Sequence, residues 1–299
     1  MVEKPNIREL FFGEIDKLVR KTNSGLKARV RKLLPSQLKR HRIMAGPLRG
    51  LSIVASWRHY HTAMIGTTEP PLISWFERNV TMGETWLDIG ANYGYTALAL
   101  RRQVGKKGRV FAFEPKLSTC GCLAQTMALN EFSEVTVLPV GLGEPDQLEL
   151  RTLAVNGGMV DSINQGDTTE TILVSRLDWL WPQICGQEER IDGVKIDVQG
   201  MELEVLKGMR SILTAHTPKL VIELHRGVSR RAVLDLLDEC GYEPHGEPIY
   251  NLPDELSGPQ YRDDRSYVFL SKQVSLVGAT QPNVNGSAQH ADHFLRRGA

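Results

Sequence analysis

From Thr85 onward, short apolar runs alternate with stretches in which apolar residues recur every third or fourth position. The first pattern predicts buried strands and the second amphipathic helices. Strands are expected at Thr85–Asp88, Arg109–Glu114, Val135–Pro139, Gly193–Val198 and Lys219–Leu224. Helices are expected at about Tyr95–Gln103, Leu117–Asn130, Glu202–Leu213 and Ser229–Cys240. Tyr242–Gly246 and Tyr267–Leu270 read as two more strands with no helix between them, most simply an antiparallel closure of the sheet. Strands alternating with helices form a parallel sheet covered on both faces. The expected fold is therefore α/β: a Rossmann-like, seven-stranded sheet with an antiparallel last strand and helices on both faces.

The flanks differ from this core, which we bound at residues 81–272. Residues 1–45 read as a basic helical extension, with Ile7, Leu10, Phe11, Ile15, Leu18 and Val19 at helical spacing. The helical pattern resumes after an Asn23-Ser24-Gly25 break. Residues 46–80 read as a lead-in: a hairpin over Gly46–Trp57, a Gly66–Glu69 loop and a helix over Pro71–Arg78. Between Gly141 and Asp192 the alternation lapses. Leu148–Leu153 and Ile172–Ser175 are expected as extra strands there, and Asn156–Asn164 as a glycine-bearing loop on the acceptor side. Residues 273–299 are polar and are expected to be disordered.

Charge refines the picture at one end only. The 299 residues carry a formal net charge of +1, which gives no general attraction to nucleic acid. No Asp or Glu occurs between Lys17 and Thr68, however, and Lys and Arg crowd the first part of that stretch. Such a basic amphipathic run suits a cap over the main domain or peripheral contact with a membrane surface. The Cys120-x-Cys122 pair has neither zinc-finger nor redox-motif spacing, so free thiols in a reducing compartment are expected. No N-terminal apolar run has the length of a signal peptide, which makes the cytoplasm the default expectation.

Candidate chemistry begins at Trp86-Leu87-Asp88-Ile89-Gly90-Ala91-Asn92-Tyr93-Gly94, an apolar strand, an acid and a glycine-spaced turn into a helix. Gly90 and Gly94 would let a ligand approach the backbone closely. A diphosphate prefers a helix N-terminus free of carboxylates, whereas Asp88 stands before the first glycine and Asn92 replaces the middle glycine of a dinucleotide turn. S-adenosylmethionine carries no phosphate, and Asp88 suits its cationic amino-acid end, directly or through water. Glu114 ends the next strand, where two carboxylate oxygens can accept both ribose hydroxyls. Asp88, Gly90, Asn92, Gly94 and Glu114 are thus the candidate cofactor residues.

Together with Phe113-Glu114-Pro115, the Arg176-Leu177-Asp178-Trp179-Leu180 element and the segment from Lys195 to Gly208, this turn resembles the FkbM family of class I methyltransferases over roughly residues 66–272. The resemblance implies S-adenosylmethionine as methyl donor and, usually, O-methylation of a hydroxyl on a sugar or other small-molecule natural product. One departure stands out: Gln199 occupies a position where the family usually has Glu.

Ligands of open α/β sheets bind beyond the carboxyl ends of the strands. Asp197, His225 and Glu202, in the first turn of the following helix, are therefore the catalytic candidates. A hydroxyl acceptor must lose a proton, to a base such as a histidine with a pKa near 6.5 or with help from a divalent metal held by Asp197 and Glu202. Two other readings stay open. An NAD-dependent oxidoreductase would use Glu114 equally well, although Asp88 and Asn92 count against it. A catalytically idle binding protein of the same fold is kept open by Gln199. An RNA methyltransferase, suggested by the basic N-terminal run, ranks low, because the fourth-strand segment has neither an Asn-Pro-Pro-Tyr-like nor a cysteine-based catalytic motif and the overall charge is near neutral.

Overall fold

A computed structural model of the chain describes residues 33–154, 169–186, 189–250 and 261–272. The helices expected before residue 33, the Asn156–Asn164 loop and the tail after residue 272 lie outside the described residues. Strands β1 (Lys39–Arg42) and β2 (Ser52–Ala55) pair antiparallel, and helices α1 (Trp57–Ile65) and α2 (Pro70–Asn79) follow. The core then runs β3 (Thr85–Ile89), α3 (Tyr95–Val104), β4 (Arg109–Phe113), α4 (Leu117–Leu129) and β5 (Val135–Leu138). An insertion holds β6 (Gly141–Leu142), β7 (Glu149–Ala154), β8 (Thr169–Ser175) and α5 (Leu177–Cys185). The chain returns through β9 (Gly193–Ile196), α6 (Glu202–Lys207), α7 (Arg210–His216), β10 (Lys219–Leu224), α8 (Arg230–Glu239), β11 (Glu247–Pro248) and β12 (Arg265–Phe269).

The main sheet has seven strands in the order β11-β12-β10-β9-β3-β4-β5. Its inner neighbours β10, β9, β3, β4 and β5 are parallel, and β12 is antiparallel to β10. The expected α/β, Rossmann-like sheet with an antiparallel last strand is present. Strand order reverses at β3, with β4 and β5 on one side and β9 and β10 on the other. In open sheets this switch point opens the ligand crevice. Side chains alternate across β3 to serve both layers. Leu87 and Ile89 join a core with Phe111, Trp181 and Leu213, while Trp86 packs with Phe76, Tyr95 and Leu98. Among the described residues no helix is long and apolar enough to cross a membrane.

Several expected elements differ. Residues 39–42 are a strand, not the end of a helix, so the hairpin begins earlier than Gly46. The reason lies in β2, which is buried throughout and needs hydrogen-bonding partners on both edges. One edge pairs with β1; from the other, Ser52 N and Val54 N donate to Asn130 Oδ1 and Thr126 Oγ1 of α4. The single helix expected over Glu202–Leu213 is two, divided at Gly208. A Cβ there would fall 1.8 Å from the Gly143 carbonyl oxygen, so close passage of the insertion fixes a glycine where a continuous helix would be. Tyr242 makes only an isolated bridge to Ser271, and the edge strand is β11. The apolar signal at Tyr242 comes from a core residue whose hydroxyl donates to the Pro218 carbonyl.

Candidate active site

At the switch point a cavity of about 230 Å³ opens beyond the carboxyl ends of β3, β4 and β9. Gly90, Asn92, Glu114, Asp197 and Gln199 line it, with Phe113, Pro115, Val140 and Leu142 as apolar wall. The insertion sheet, ordered β6-β8-β7, closes one side through Leu153, Ile172 and Val174.

The glycine turn is bound to the neighbouring strand rather than left open. Gly90 N and Ala91 N both donate to the Phe113 carbonyl, Asn92 N donates to Glu114 Oε2, and Gly94 N to the Ala91 carbonyl. These amides are therefore committed within the protein, and a carboxylate sits where a diphosphate would need donors. Glu114 is buried yet lines the cavity, with its other oxygen accepting from Lys116 N at 3.1 Å. Burial pushes its carboxyl above the ordinary value, and the two amides work against that shift. With further lone pairs on each oxygen, it suits a ribose diol.

The structure gives the glycines an additional reason. A Cβ on Gly90 would lie 1.8 Å from the Asp197 carbonyl oxygen, at a φ of +82°. The residue is glycine because the ends of β3 and β9 touch there, besides any ligand it admits. Gly94 caps α3 at a φ of +94°, and a Cβ would meet Leu123 Cδ1 at 2.4 Å. It packs against α4 and is not part of the cavity wall.

Asp88 also lies off the wall. It has no exposed surface and is supported by Thr96 Oγ1, which donates to Oδ2 at 2.6 Å, and by Lys195 Nζ, 3.5 Å from Oδ1. Asp88 and Lys195 are direct cross-strand partners in the β3–β9 register. The Lys195 ammonium also lies 3.4 Å from Asp197 Oδ2. Burial opposes that charge, but the carboxylates of Asp197, Asp88, Glu69 and Glu223 outweigh it and hold the ammonium above its ordinary range.

Of the three catalytic candidates, Asp197 alone lines the cavity. His225 stands behind it. Its Nδ1 pairs with Glu202 Oε1 at 2.7 Å, and its Nε2 faces Asp197 Oδ1 at 3.5 Å, Glu223 Oε1 at 3.6 Å and Gln199 Nε2 at 2.9 Å. Gln199 reaches this place through a left-handed backbone at φ +58° and also donates to Asp197 Oδ1. A Glu there would add a carboxylate to a group already rich in them; the amide supplies a donor instead. Glu202 has no exposed surface, accepts from Gly200 N and orients the imidazole. It is not placed beside Asp197 as a second metal ligand. Among the described residues, the set with ligand spacing is Asp197, Glu223 and His225, whose atoms lie within 4.8 Å of one another.

Burial lowers the His225 pKa, but Glu202, Asp197 and Glu223 raise it further, to about 9. The ring is then an imidazolium at neutral pH, not the free base expected from an unperturbed histidine. A raised folded-state pKa gives stability that is complete below about 6.5 and lost as pH rises through about 9. Thermal unfolding should accordingly show Tm falling as pH rises above about 7, and His225→Gln should flatten that decline. A wild-type Tm constant across the interval would contradict the assignment.

Lys195 and Glu223 were not singled out from the sequence, although strand periodicity carried the signal. Each lies two positions before a candidate, Asp197 or His225, and so on the same sheet face.

The sequence profile of the Methyltransferase FkbM domain matches residues 88–244, which take in the glycine turn, Glu114, Asp197, Glu202 and His225. The chain belongs to the FkbM methyltransferase family. A hexuronic acid methyltransferase, AglP of Haloferax volcanii, is 32% identical over 158 residues, covering 51% of this chain and 61% of that protein. The chain thus matches under two thirds of that protein's length. Among solved structures, the FkbM methyltransferase of Methylobacillus flagellatus is 22% identical with a TM-score of 0.42, covering 70% of this chain and 52% of its own. Aeropyrum pernix fibrillarin with natively bound S-adenosyl-L-methionine is 12% identical with a TM-score of 0.42, covering 67% and 73% respectively.

Proposed function

We propose that the protein transfers a methyl group from S-adenosylmethionine to a hydroxyl of a small acceptor, a sugar or a related natural product. The observation that carries this reading is the state of the glycine turn: the amides of Gly90, Ala91 and Asn92 are spent on Phe113 and Glu114, which favours a nucleoside without phosphate. Glu114 would hold the ribose, the apolar wall of Phe113, Pro115 and Val140 the base, and Gly90 the start of the amino-acid chain. The FkbM family and the hexuronic acid methyltransferase relative support a sugar acceptor. All four cysteines are free, which fits a reducing, cytoplasmic setting.

When bound, the donor supplies an electrophilic methyl on a sulfonium, and the C–S bonding pair leaves with sulfur as the acceptor oxygen attacks in line. Asp197 orients the acceptor hydroxyl at the cavity wall and takes its proton, which becomes strongly acidic as the oxygen acquires its new bond. A carboxylate is a sufficient base for such a proton. Lys195 and the His225 imidazolium lie against the Asp197 carboxylate and fix its position. Glu202 positions the imidazolium and is not expected to touch the acceptor.

Incubation with methyl-labelled donor and a panel of hydroxylated glycosides, uronic acids included, tests the reading. Label should appear in an alkali-stable ether on the acceptor. Donor binding with no transfer to any member of the panel would favour the catalytically idle alternative.

A further inference from the structure

Glu69 lies outside the segment matched by the family profile and has so far entered only as one of the carboxylates around Lys195. It immediately precedes α2 with a left-handed φ of +43°, a conformation seldom adopted by a residue with a Cβ. Its side chain does not cap the helix. Two prolines follow it, and neither has an N–H to offer. Oε2 is sealed from solvent and has no hydrogen-bond partner among the described residues. A buried carboxylate oxygen left in this way is costly unless a ligand satisfies it.

Its surroundings indicate which ligand. The carboxylate interacts electrostatically with Lys195, Asp197, Glu223 and Asp88, so it shares the field at the ends of β9 and β10. Four carboxylates there face the Lys195 ammonium and the His225 imidazolium. Tyr95, the first residue of α3, interacts with Glu69, and its buried hydroxyl also lacks a partner. Tyr60 of α1 packs against Tyr93 of the glycine turn, with ring centroids 5.5 Å apart, and also interacts with Glu69. Glu69 therefore lies on the β9 and β10 flank, beyond the cavity wall described above, while Glu114 lines the cavity on the β4 flank.

We propose that Glu69 binds the α-ammonium of the methyl donor, with the Tyr95 hydroxyl as a second acceptor. This inference rests on the donor reading above. A ribose on Glu114 sends the amino-acid chain across Gly90 toward the opposite flank, where Glu69 and Tyr95 are two unpaired acceptors and an ammonium is a triple donor. Burial raises the empty-site carboxyl to about 7, so a cation bound there also releases a proton near neutral pH.

The test uses titration calorimetry with S-adenosylhomocysteine and with 5′-methylthioadenosine, which lacks the amino-acid end. For Glu69→Gln, verified as folded by circular dichroism, the homocysteine compound should bind about 10- to 100-fold more weakly while methylthioadenosine is unchanged, as expected for one lost charge-assisted bond. Equal weakening of both ligands, or no weakening of either, would overturn the proposal. Should the variant fail to fold, the desamino analogue of S-adenosylhomocysteine on the wild-type protein gives the same comparison. It should bind more weakly by a similar factor, and binding as tight as the parent compound overturns the role. A wild-type protein that binds neither adenosyl ligand would refute the donor reading itself, a result distinct from failure of Glu69 alone.

Discussion

Gly90→Ala is expected to destabilise the protein by about 3–5 kcal/mol, enough to lower Tm by on the order of 10 °C. The added methyl would sit 1.8 Å from the carbonyl oxygen of Asp197, and the backbone φ is +82°. Neither neighbour can yield easily, because Asp197 N is bonded to the Ile89 carbonyl while Gly90 N is bonded to Phe113. Gly50→Ala separates collision from backbone strain. Its φ is +90°, but nothing lies within 4 Å of the new methyl, so it should cost about 1–2 kcal/mol. Denaturant unfolding of the two variants gives the comparison. Equal losses would mean that β3 and β9 do not meet as described.

Asp197→Asn is expected to lower kcat by about 10²–10⁴-fold, the range for removal of a general base, with little effect on donor affinity. The substitution keeps the shape and leaves Lys195 paired with Asp88, so the fold should survive. Glu202→Gln should cost less, because Glu202 acts through the imidazole and has no surface in the cavity. Single-turnover rates with labelled donor measure both. An Asp197→Asn enzyme within about tenfold of wild type would remove Asp197 from the proton-transfer step.

The parallel core was legible because its strands are buried on both faces and read as short apolar runs, as in Val110–Phe113 and Leu220–Ile222. Boundaries failed where one contact overrode local preference. Gly208 breaks a helix because another chain segment passes against it, and no pattern around residue 208 announces that segment. Lys39–Arg42 read as the end of the basic helical extension but are recruited by the edge of β2. At the site, Glu114 and Asp197 were readable from their places at strand ends, and both line the cavity. Asp88 obeyed the same rule yet lies beneath the turn, since its partner Lys195 stands directly across the sheet. Glu69 was unreadable for a different reason. Its meaning depends on how the lead-in helices lie against the glycine turn, a relation between distant segments that leaves no mark in local sequence.

The measurement that bears most directly on the account is calorimetric titration of wild type and Glu114→Gln with S-adenosylhomocysteine and with NADH. Wild type should bind the homocysteine compound and not NADH, and Glu114→Gln should weaken that binding by about tenfold or more through the lost charge-assisted bonds to ribose. Binding of NADH without S-adenosylhomocysteine, or S-adenosylhomocysteine affinity indifferent to Glu114, would contradict it.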